Sequence, residues 1–334
     1  MCLSSLRKAF ATARSRAHSS RISRASCIPT SRASSDGRSM TRVSFLGLGA
    51  IGAPMARHLA RDQFDLTVWN RTTATAEEFA RAHGVAAAAT PAVAAAADVI
   101  VTCLPSSREV AALLDGETGL MAGIREGTLF IDCTSGDPAT SRDIAARLEQ
   151  RGVAFVDAPV SGGVKGAVAG TLTVMCGGED SSVERARPVL EAFGGKIIHC
   201  GRVGSGHAVK AMNQALLAIH IWSAGEALAA LAKLGVDAKL ALEVINGSSG
   251  RSNTSENLFP ERVIGRAFPR TFKLALLDKD VAIAAAIAGE AGIESPFIEL
   301  AARLFSEAHE ELGEEADHVE AVRVVEARAG VSIS

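Results

Sequence analysis

The sequence has almost no excess of charge of either sign. Its 334 residues include 35 Lys and Arg against 37 Asp and Glu, a formal net charge of −2. So small a net charge gives no general attraction for nucleic acid or for an anionic membrane surface. We therefore expect a small-molecule partner, and neither nucleic acid nor a membrane.

Paired cysteines are also lacking. The six cysteines lie far apart, with no Cys-x-x-Cys spacing and no histidine cluster beside them: Cys2, Cys27, Cys103, Cys133, Cys176 and Cys200. Disulfide frameworks and zinc sites both depend on such spacings. The sequence therefore predicts reduced cysteines in the core. Because no cluster of acidic residues is found either, it predicts no metal.

The stretch 85–104 lacks the uninterrupted apolar run of a membrane span. Thr90-Pro91 and Asp98 interrupt it before about 18 apolar residues accumulate. The pattern instead predicts a helix of a soluble protein followed by a buried strand.

Residues 1–39 differ in composition from the rest of the chain. They hold seven Arg and one Lys against a single acid, Asp36, and are rich in Ser. This composition resembles a mitochondrial transit peptide. The alternative is a start codon assigned too early, with translation beginning at Met40, and the abundance of Arg over Lys and of Ala favours it. We expect a cytoplasmic protein, or a mitochondrial matrix protein if the segment is a transit peptide, and a disordered segment in both cases.

After residue 40, short apolar runs alternate with helical patterns as far as Cys200. The predicted strands are Val43–Leu48, Leu66–Trp69, Val99–Leu104, Leu129–Ile131, Ala154–Val156, Leu172–Met175 and Ile197–Ile198. Such alternation predicts a parallel sheet covered by helices on both faces. Only helical patterns follow, at 207–234, 238–245, 274–290 and 296–312. The predicted fold is an α/β Rossmann domain, residues 40–201, and an all-helical substrate and oligomerisation domain, residues 202–334.

A glycine-rich loop follows the first predicted strand and precedes a helical pattern at 53–60. It reads Gly47-Leu48-Gly49-Ala50-Ile51-Gly52. Three glycines at this spacing allow a tight turn, backbone approach to a pyrophosphate, and close packing of helix on strand. The loop predicts a dinucleotide site.

The adenosine ribose of that dinucleotide should lie near the end of the second strand. The residues there are Asn70-Arg71-Thr72, without an acid. An acid would bind a free 2′-hydroxyl, whereas a guanidinium is suited to a 2′-phosphate. The sequence predicts NADP, with NAD as the alternative.

Four motifs in order resemble the β-hydroxyacid dehydrogenase family, the group of 3-hydroxyisobutyrate dehydrogenase and tartronate semialdehyde reductase. They are GLGAIGAPMA from Gly47; Asp157–Gly163 with its following glycines; Gly204-x-Gly206-x-x-x-Lys210-x-x-Asn213-Gln214; and Phe272 with Lys279-Asp280. The resemblance implies a substrate-binding segment at Ser161, a catalytic helix at Lys210, and cofactor contacts from Phe272 and Lys279. A looser match implies that Leu104, Pro105 and Ser135 touch the nicotinamide half. Many members carry Asn where this chain has Gln214, which leaves open whether Asn213 or Gln214 touches the substrate.

Chemical grounds alone also identify Lys210 as a candidate catalytic residue. It lies in a segment, 207–234, that is apolar on nearly every side and should be buried. A lysine there needs a partner, and Asn213 and Gln214 follow it on the same helix face. An amine with a tunable pKa can take a hydroxyl proton and return it.

The segment Ser161-Gly162-Gly163 follows a predicted strand. Two successive glycines and a hydroxyl can cradle a carboxylate. We assign Asp157 to architecture. Arg251, in a loop between two helices, is a further candidate for an anionic substrate group.

Together these features predict NADP-dependent oxidation of a small 3-hydroxy acid to its semialdehyde, and the reverse. A tartronate semialdehyde reductase is an alternative within this class, and we expect a homo-oligomer, a dimer or a tetramer. From other classes, a catalytically silent NADP-binding interaction protein would not need Lys210. Imine-reducing relatives resemble the chain less at this lysine.

Overall fold

The computed structural model describes residues 40–61 and 63–333, so the predictions for residues 1–39 lie outside it. The strands are β1 (Thr41–Leu46), β2 (Phe64–Trp69), β3 (Ala86–Ala87), β4 (Val99–Thr102), β5 (Leu129–Asp132), β6 (Ala154–Asp157), β7 (Val160–Ser161), β8 (Leu172–Gly177) and β9 (Gly194–Gly201). The described residues form one compact unit.

The strands form one sheet in the order β3-β2-β1-β4-β5-β6-β8-β7, with β9 paired to β8. The first six in this order are parallel, which is the strand order of a Rossmann domain. The prediction of a wholly parallel sheet is wrong beyond β6, because β8 runs antiparallel to β6 and β7. A parallel return needs a long crossover, and the chain instead turns back after β7 and a seven-residue helix.

The helices of the first half are α1 (Gly52–Leu59), α2 (Thr73–His83), α3 (Pro91–Ala94), α4 (Ser107–Leu114), α5 (Pro138–Glu149), α6 (Gly163–Ala169) and α7 (Asp180–Leu190). Alternate residues of the central strands enter two different apolar clusters. On β5, for example, Leu129 and Ile131 pack with α1 and α7, and Phe130 packs with α4 and α5. The sheet is therefore covered on both faces, as predicted.

The stretch 85–104 differs from its prediction. It holds the short strand β3, a single helical turn at α3, and β4. Thr90 caps α3 and Pro91 occupies its first turn, but the turn ends at Ala95. The predicted buried strand is confirmed, and the predicted helix is only four residues long.

The second half is helical, with α8 (Ser205–Lys233), α9 (Ala238–Asn246), α10 (Leu274–Glu290), α11 (Pro296–Leu312) and α12 (Ala321–Ala329). Helical turns at Thr254–Leu258, Pro260–Ile264 and His318–Glu320 join them. These turns and α12 were not predicted. α10 and α11 have the predicted bounds.

α8 is the central helix of this half and packs against α10, α11 and α12. By length and composition alone it could cross a membrane, a property that the core helix of a soluble protein shares. The prediction that it is buried on nearly every side is wrong for one face. Val209, Leu216 and Leu234 are exposed, Leu216 by 56% and Leu234 by 79%. Their separations of seven and eighteen residues are close to whole turns, so they share one side of the helix.

The next helix, α9, also has exposed apolar residues, since Leu240 and Val244 lie one turn apart and are 61% and 67% exposed. Val236 lies between the two helices and is also exposed. We call these six residues the α8–α9 apolar face.

The cysteines of the described chain are free thiols. Cys133 and Cys176 are buried, and Cys103 and Cys200 are partly buried. Burial raises the pKa of Cys103 and of Cys176 to about 12, which keeps both thiols protonated.

Candidate active site

The glycine loop lies between the carboxyl ends of β1 and β4, where the strand order reverses. In open α/β sheets ligands bind at this switch point. The Gly47 N–H donates to Trp69 O at 3.0 Å, and its φ of +106° is one that side chains rarely adopt. A Cβ atom on Gly47 would lie 2.3 Å from the Cys103 carbonyl oxygen. The loop is therefore pressed against the segment that follows β4.

The other two glycines have different surroundings. A Cβ on Gly52 would lie 2.0 Å from Gly47 O, so Gly52 allows α1 to pack against the loop. A Cβ on Gly49 would meet no atom within 4 Å. Ala50 beside it is exposed and Ile51 is half-buried. The structure thus has open space at the glycine where a pyrophosphate must approach backbone.

Asn70 connects the glycine loop to the end of β2. Its Oδ1 accepts from the Leu48 N–H at 3.1 Å, and its Nδ2 donates to Thr72 O at 3.2 Å. Arg71 and Thr72 are exposed, and the Arg71 guanidinium makes no hydrogen bond or ion pair within residues 40–61 and 63–333. Arg71 is therefore available to an anion at the strand end.

The ends of β4 and β5 are joined through Thr134. The Leu104 N–H donates to Thr134 Oγ1 at 3.1 Å, and the Thr134 N–H donates to Asp132 Oδ1 at 3.0 Å. Pro105 is exposed and Ser135 half-buried beside these contacts. Both segments proposed to meet the nicotinamide half thus lie at one edge of the sheet.

Asp157, at the end of β6, holds the start of α8. Its Oδ1 accepts from the Gly204 N–H at 2.7 Å and its Oδ2 from the His207 N–H at 2.9 Å. Burial raises the pKa of this carboxyl, while the charge of His207 and these N–H groups oppose the shift. Helix N-termini bind anions in this way, which agrees with an architectural role for Asp157.

His207 joins the same turn of α8 to the segment after β5. Its Nε2 lies 2.8 Å from Thr134 O and its Nδ1 lies 2.6 Å from Ser141 Oγ. The side chain is fully buried. α8 and the segment after β5 are therefore fixed to each other one turn before Lys210.

Lys210 is buried and bonded along its own helix. Its Nζ donates to Gln214 Oε1 at 3.2 Å. Gln214 Nε2 donates in turn to Asp280 Oδ2, on α10, at 3.0 Å. Burial lowers the pKa of Lys210; the charge of Asp280 opposes this shift and that of Lys279 adds to it. The result is an amine that releases a proton more readily than a solvated lysine.

Lys279 connects α10 to the segment that follows β5. Its Nζ donates to the backbone oxygen of Ser135 and lies 2.9 Å from Asp280 Oδ1. The ion pair with Asp280 is not a surface pair, because the Asp280 side chain is only 3% exposed. Lys210, Gln214, Asp280, Lys279 and Ser135 thus form one connected chain of polar groups.

The remaining predicted residues are placed differently. Ser161 is half-buried, and Gly162 and Gly163 are exposed at the start of α6, where a Cβ on Gly163 would meet open space. The Phe272 N–H donates to Asp317 Oδ2 at 3.1 Å, and its ring packs edge-on against His318. In the described part of the chain, no hydrogen bond or ion pair joins these residues or Arg71 to Lys210.

Arg251 is exposed and lies 3.9 Å from Glu256. Its proposed contact with an anionic substrate remains a prediction.

The sequence analysis named Asp280 only as part of a motif and gave no role to His207. Asp280 lies among Leu276, Leu277 and Val281, so the argument that a buried charge needs a partner applies to it as it does to Lys210. His207 carried no comparable signal, because the carbonyl and hydroxyl that it contacts are 73 and 66 residues away in sequence.

Two family models match successive parts of the chain. Residues 42–201 match the NAD binding domain of 6-phosphogluconate dehydrogenase. Residues 204–325 match the NAD-binding domain of NADP-dependent 3-hydroxyisobutyrate dehydrogenase. The NAD-dependent L-serine dehydrogenase of Pseudomonas aeruginosa is 35% identical over 272 residues, which cover 80% of this chain and 91% of that protein.

Solved structures give the same assignment. Mycobacterium tuberculosis 3-hydroxyisobutyrate dehydrogenase with L-serine has a TM-score of 0.78 at 35% identity, covering 86% of this chain and 99% of that one. Psf3 in complex with NADP+ and 2-OPP has a TM-score of 0.76 at 27% identity, covering 85% and 99%. The predicted Rossmann and helical fold and the predicted oxidoreductase class are confirmed. The chain belongs to the NAD(P)-dependent β-hydroxyacid dehydrogenase family.

Proposed function

We propose that this enzyme oxidises the C3 hydroxyl of a small 3-hydroxy acid to a semialdehyde and catalyses the reverse reduction, with NADP as the preferred cofactor. The observation that carries the proposal is Lys210, a buried amine with a lowered pKa, held by Gln214 next to the Rossmann half. The bound nicotinamide supplies hydride transfer. One similar protein is named an L-serine dehydrogenase and another was solved with L-serine, which is itself a 3-hydroxy acid.

In the oxidation direction, neutral Lys210 takes the proton of the substrate hydroxyl, and in the reduction direction the ammonium returns it. The lowered pKa of Lys210 favours the neutral amine, which accepts the proton in oxidation. The nearby Asp280 carboxylate stabilises the charged amine, which donates the proton in reduction. Gln214 fixes the direction of the Nζ atom.

The substrate carboxylate is assigned to Ser161, Gly162 and Gly163. Support comes from the open space at Gly163, the exposed backbone of both glycines, and the hydroxyl of Ser161. Backbone N–H groups left accessible in such a turn bind anions. A carboxylate held there and a hydroxyl held at Lys210 together define a bifunctional substrate. Tartronate semialdehyde is an alternative within this class.

The cofactor is assigned to the carboxyl ends of the parallel strands, at the switch point between β1 and β4. The residues that would hold it are Gly47, Leu48, Gly49, Ala50, Ile51, Gly52, Asn70, Arg71, Thr72, Leu104, Pro105, Ser135, Phe272 and Lys279. The open space at Gly49 fits a pyrophosphate, and the exposed guanidinium of Arg71 supports NADP over NAD.

We further propose a domain division at residues 201 and 202, self-association through the α8–α9 apolar face, and a cytoplasmic location. The first coincides with the change from strands to helices after β9. The second is supported by six exposed apolar residues, since such patches on soluble proteins commonly mark interfaces. If residues 1–39 are a transit peptide, the location is the mitochondrial matrix.

Steady-state assays of Lys210→Ala and Lys210→Arg on a panel of 3-hydroxy acids that includes L-serine test the reaction. In both variants kcat should fall about 10²–10⁴-fold, because neither side chain can take the hydroxyl proton. The Kd for NADP should stay near that of the wild type. A catalytically silent cofactor-binding protein would show no turnover with any acid. A Lys210→Ala protein with more than about a tenth of wild-type kcat would contradict the assignment.

A further inference from the structure

The segment 265–273, which leads into α10, has an unusual backbone. Among the described residues, Arg266 and Phe268 are the two that have a positive φ without being glycine, at +52° and +38°. Side chains rarely adopt this conformation, and it persists only where the surroundings hold it. Such residues cluster at ligand sites, and this segment contains Phe272, which we assign to the cofactor.

Two ion pairs hold the segment. Arg266 Nη1 lies 2.6 Å from Oε1 of Glu326, whose side chain is 9% exposed, and the Arg266 guanidinium lies over the Phe268 ring. Arg262, in the preceding helical turn, lies 3.1 Å from Asp317 Oδ1, and the Asp317 side chain is fully buried. The conformation is therefore held by residues 55 and 60 positions later in the sequence.

Asp317 makes further contacts with this segment. Its Oδ2 accepts from the N–H groups of Thr271 and Phe272 at 2.9 and 3.1 Å, and from the Thr271 hydroxyl at 3.0 Å. Its Oδ1 accepts from the Val319 N–H at 3.1 Å and lies 3.0 Å from His318 Nδ1. Because Nδ1 also lies 3.2 Å from Phe272 O, a second acceptor, it must carry a proton. Each of these neighbours of the carboxylate is thus a donor.

The carboxyl of Asp317 is ionised in these surroundings. Burial raises its pKa, but the hydrogen bond and charge of His318 and the N–H groups of Thr271 and Phe272 outweigh burial and lower the pKa far below its ordinary value. Asn has nearly the same shape but offers one oxygen and an NH₂. Asp317→Asn therefore removes acceptors from this cluster without leaving a cavity.

Phe272 is held through its backbone and its ring. Its N–H donates to Asp317, and its carbonyl accepts from the His318 N–H at 2.9 Å. Its ring packs edge-on against the His318 imidazole, with 5.3 Å between the ring centroids. The Leu274 N–H, the first of α10, donates to Ala316 O at 2.8 Å. Phe272 is nevertheless partly exposed, so a ligand is able to reach it.

We infer that Asp317 is a positioning residue for cofactor binding, which holds Thr271 and Phe272 in the conformation that contacts the dinucleotide. This inference rests on the proposed function, because the contact of Phe272 with the cofactor belongs to that assignment. A segment that is ordered before binding loses little further conformational entropy when the cofactor binds. Because its side chain is buried, Asp317 acts through this segment.

The test measures the Kd for NADP+ by calorimetry in Asp317→Asn, Phe272→Ala and the double variant. Each single substitution should weaken binding about 10–100-fold, Phe272→Ala by losing the contact and Asp317→Asn because the freed segment has to be ordered on binding. The double variant should bind within about twofold of Phe272→Ala, because Asp317 acts through Phe272. Asp237→Asn is the control, at an exposed aspartate that accepts from the Leu240 N–H, and should bind within about twofold of the wild type.

Hydrogen exchange of the cofactor-free protein gives an independent measurement. Asp317→Asn should speed exchange in the segment 265–273 about tenfold or more and leave α8 unchanged. Faster exchange throughout the chain would mean that the variant is globally destabilised. Thr271→Val, which removes a hydroxyl that donates to Asp317, then replaces it in the double-variant comparison, with an expected loss of about 2–10-fold in Kd.

Three outcomes would contradict different parts of this account. Additive losses in the double variant, or a folded Asp317→Asn protein that binds NADP+ within about twofold of the wild type, would overturn this inference alone. A Phe272→Ala protein that binds NADP+ as the wild type does would remove Phe272 from the proposed cofactor residues and overturn this inference with that assignment. A wild type inactive on every 3-hydroxy acid would overturn the proposed reaction, but not the result of these binding measurements.

Discussion

Asp157 holds the backbone of His207 at the first turn of α8, with Oδ2 2.9 Å from the His207 nitrogen. The same carboxylate accepts from the Gly204 N–H at 2.7 Å. Lys210 lies three residues beyond His207 on a helix with no break as far as Lys233. The position of the proposed base is therefore set by a carboxylate on the sheet.

Asp157→Ala should destabilise the protein by about 2–5 kcal/mol, because two buried N–H groups lose their acceptor. Urea unfolding measures the free energy. Asp237→Ala is the matched control, since Asp237 caps α9 at an exposed site and accepts from the Leu240 N–H at 2.8 Å. Its loss should cost about 1 kcal/mol. Equal effects of the two substitutions would contradict the role given to Asp157.

The preference for NADP should depend on Arg71. Arg71→Asp replaces an exposed guanidinium by a carboxylate, which repels a 2′-phosphate and accepts from a 2′-hydroxyl. The ratio of kcat/KM for NADP to that for NAD should fall at least about tenfold, or about 1.4 kcal/mol. Arg81→Asp, an exposed arginine on α2, should leave the ratio unchanged. A wild-type preference for NAD of about tenfold or more would show that the ribose argument is wrong.

The pH profile of oxidation should report Lys210. Only the neutral amine accepts a proton, so kcat/KM rises with pH through the pKa of Lys210, and burial places that midpoint below the ordinary lysine value of about 10.4. Lys279→Met removes a charge that lowers this pKa and should move the midpoint to higher pH. Asp280→Asn removes a charge that raises it and should move the midpoint to lower pH.

Lys239→Met, at an exposed lysine on α9, is the control for these two variants and should not move the midpoint. Shifts of Lys279→Met and Asp280→Asn in the same direction would mean that another group is titrating.

A chain that begins at Met40 should be folded and fully active. The described strands and helices and all of the proposed site residues lie after this position. Thermal unfolding, NADP titration and kcat of the shortened protein should match those of the full chain. Loss of soluble expression or of cofactor binding would show that residues 1–39 belong to the fold.

The α8–α9 apolar face should mediate self-association. Leu240→Glu places a charge at a 61% exposed position of this face and should shift the mass in sedimentation experiments towards that of one chain. Val93→Glu, at a 57% exposed valine on α3, is the matched control and should not. A wild-type protein that is monomeric at all concentrations would exclude the interface.

Features that depend on local pattern were predictable from the sequence. The bounds of α10 and α11 follow from helical periodicity and from Pro296, and the glycine loop has the predicted strand-loop-helix surroundings. Lys210 could be identified because a charge in an apolar helix needs a partner.

Features that depend on contacts between residues far apart in the sequence were not predictable from it. The reversal of β8 depends on its pairing with β7 and β6, and two-residue strands such as β3 have too short a pattern to identify. The orientation of Gln214 depends on Asp280, 66 residues away. The face of α8 left uncovered depends on which helices pack against it, which hydrophobic composition alone does not specify.

The attachment of α8 to Asp157 also makes the chain length before Lys210 critical. Each residue added to a helix rotates the later residues by about 100° around its axis and advances them by about 1.5 Å. One residue inserted between Gly206 and Lys210 would therefore turn the amine away from Asp280, even if every side chain of the site were retained. An insertion at Gly235, in the exposed turn after α8, would leave that geometry intact. Among diverging copies of this gene, we expect insertions and deletions to accumulate after Lys233 and to be purged between Gly204 and Lys210.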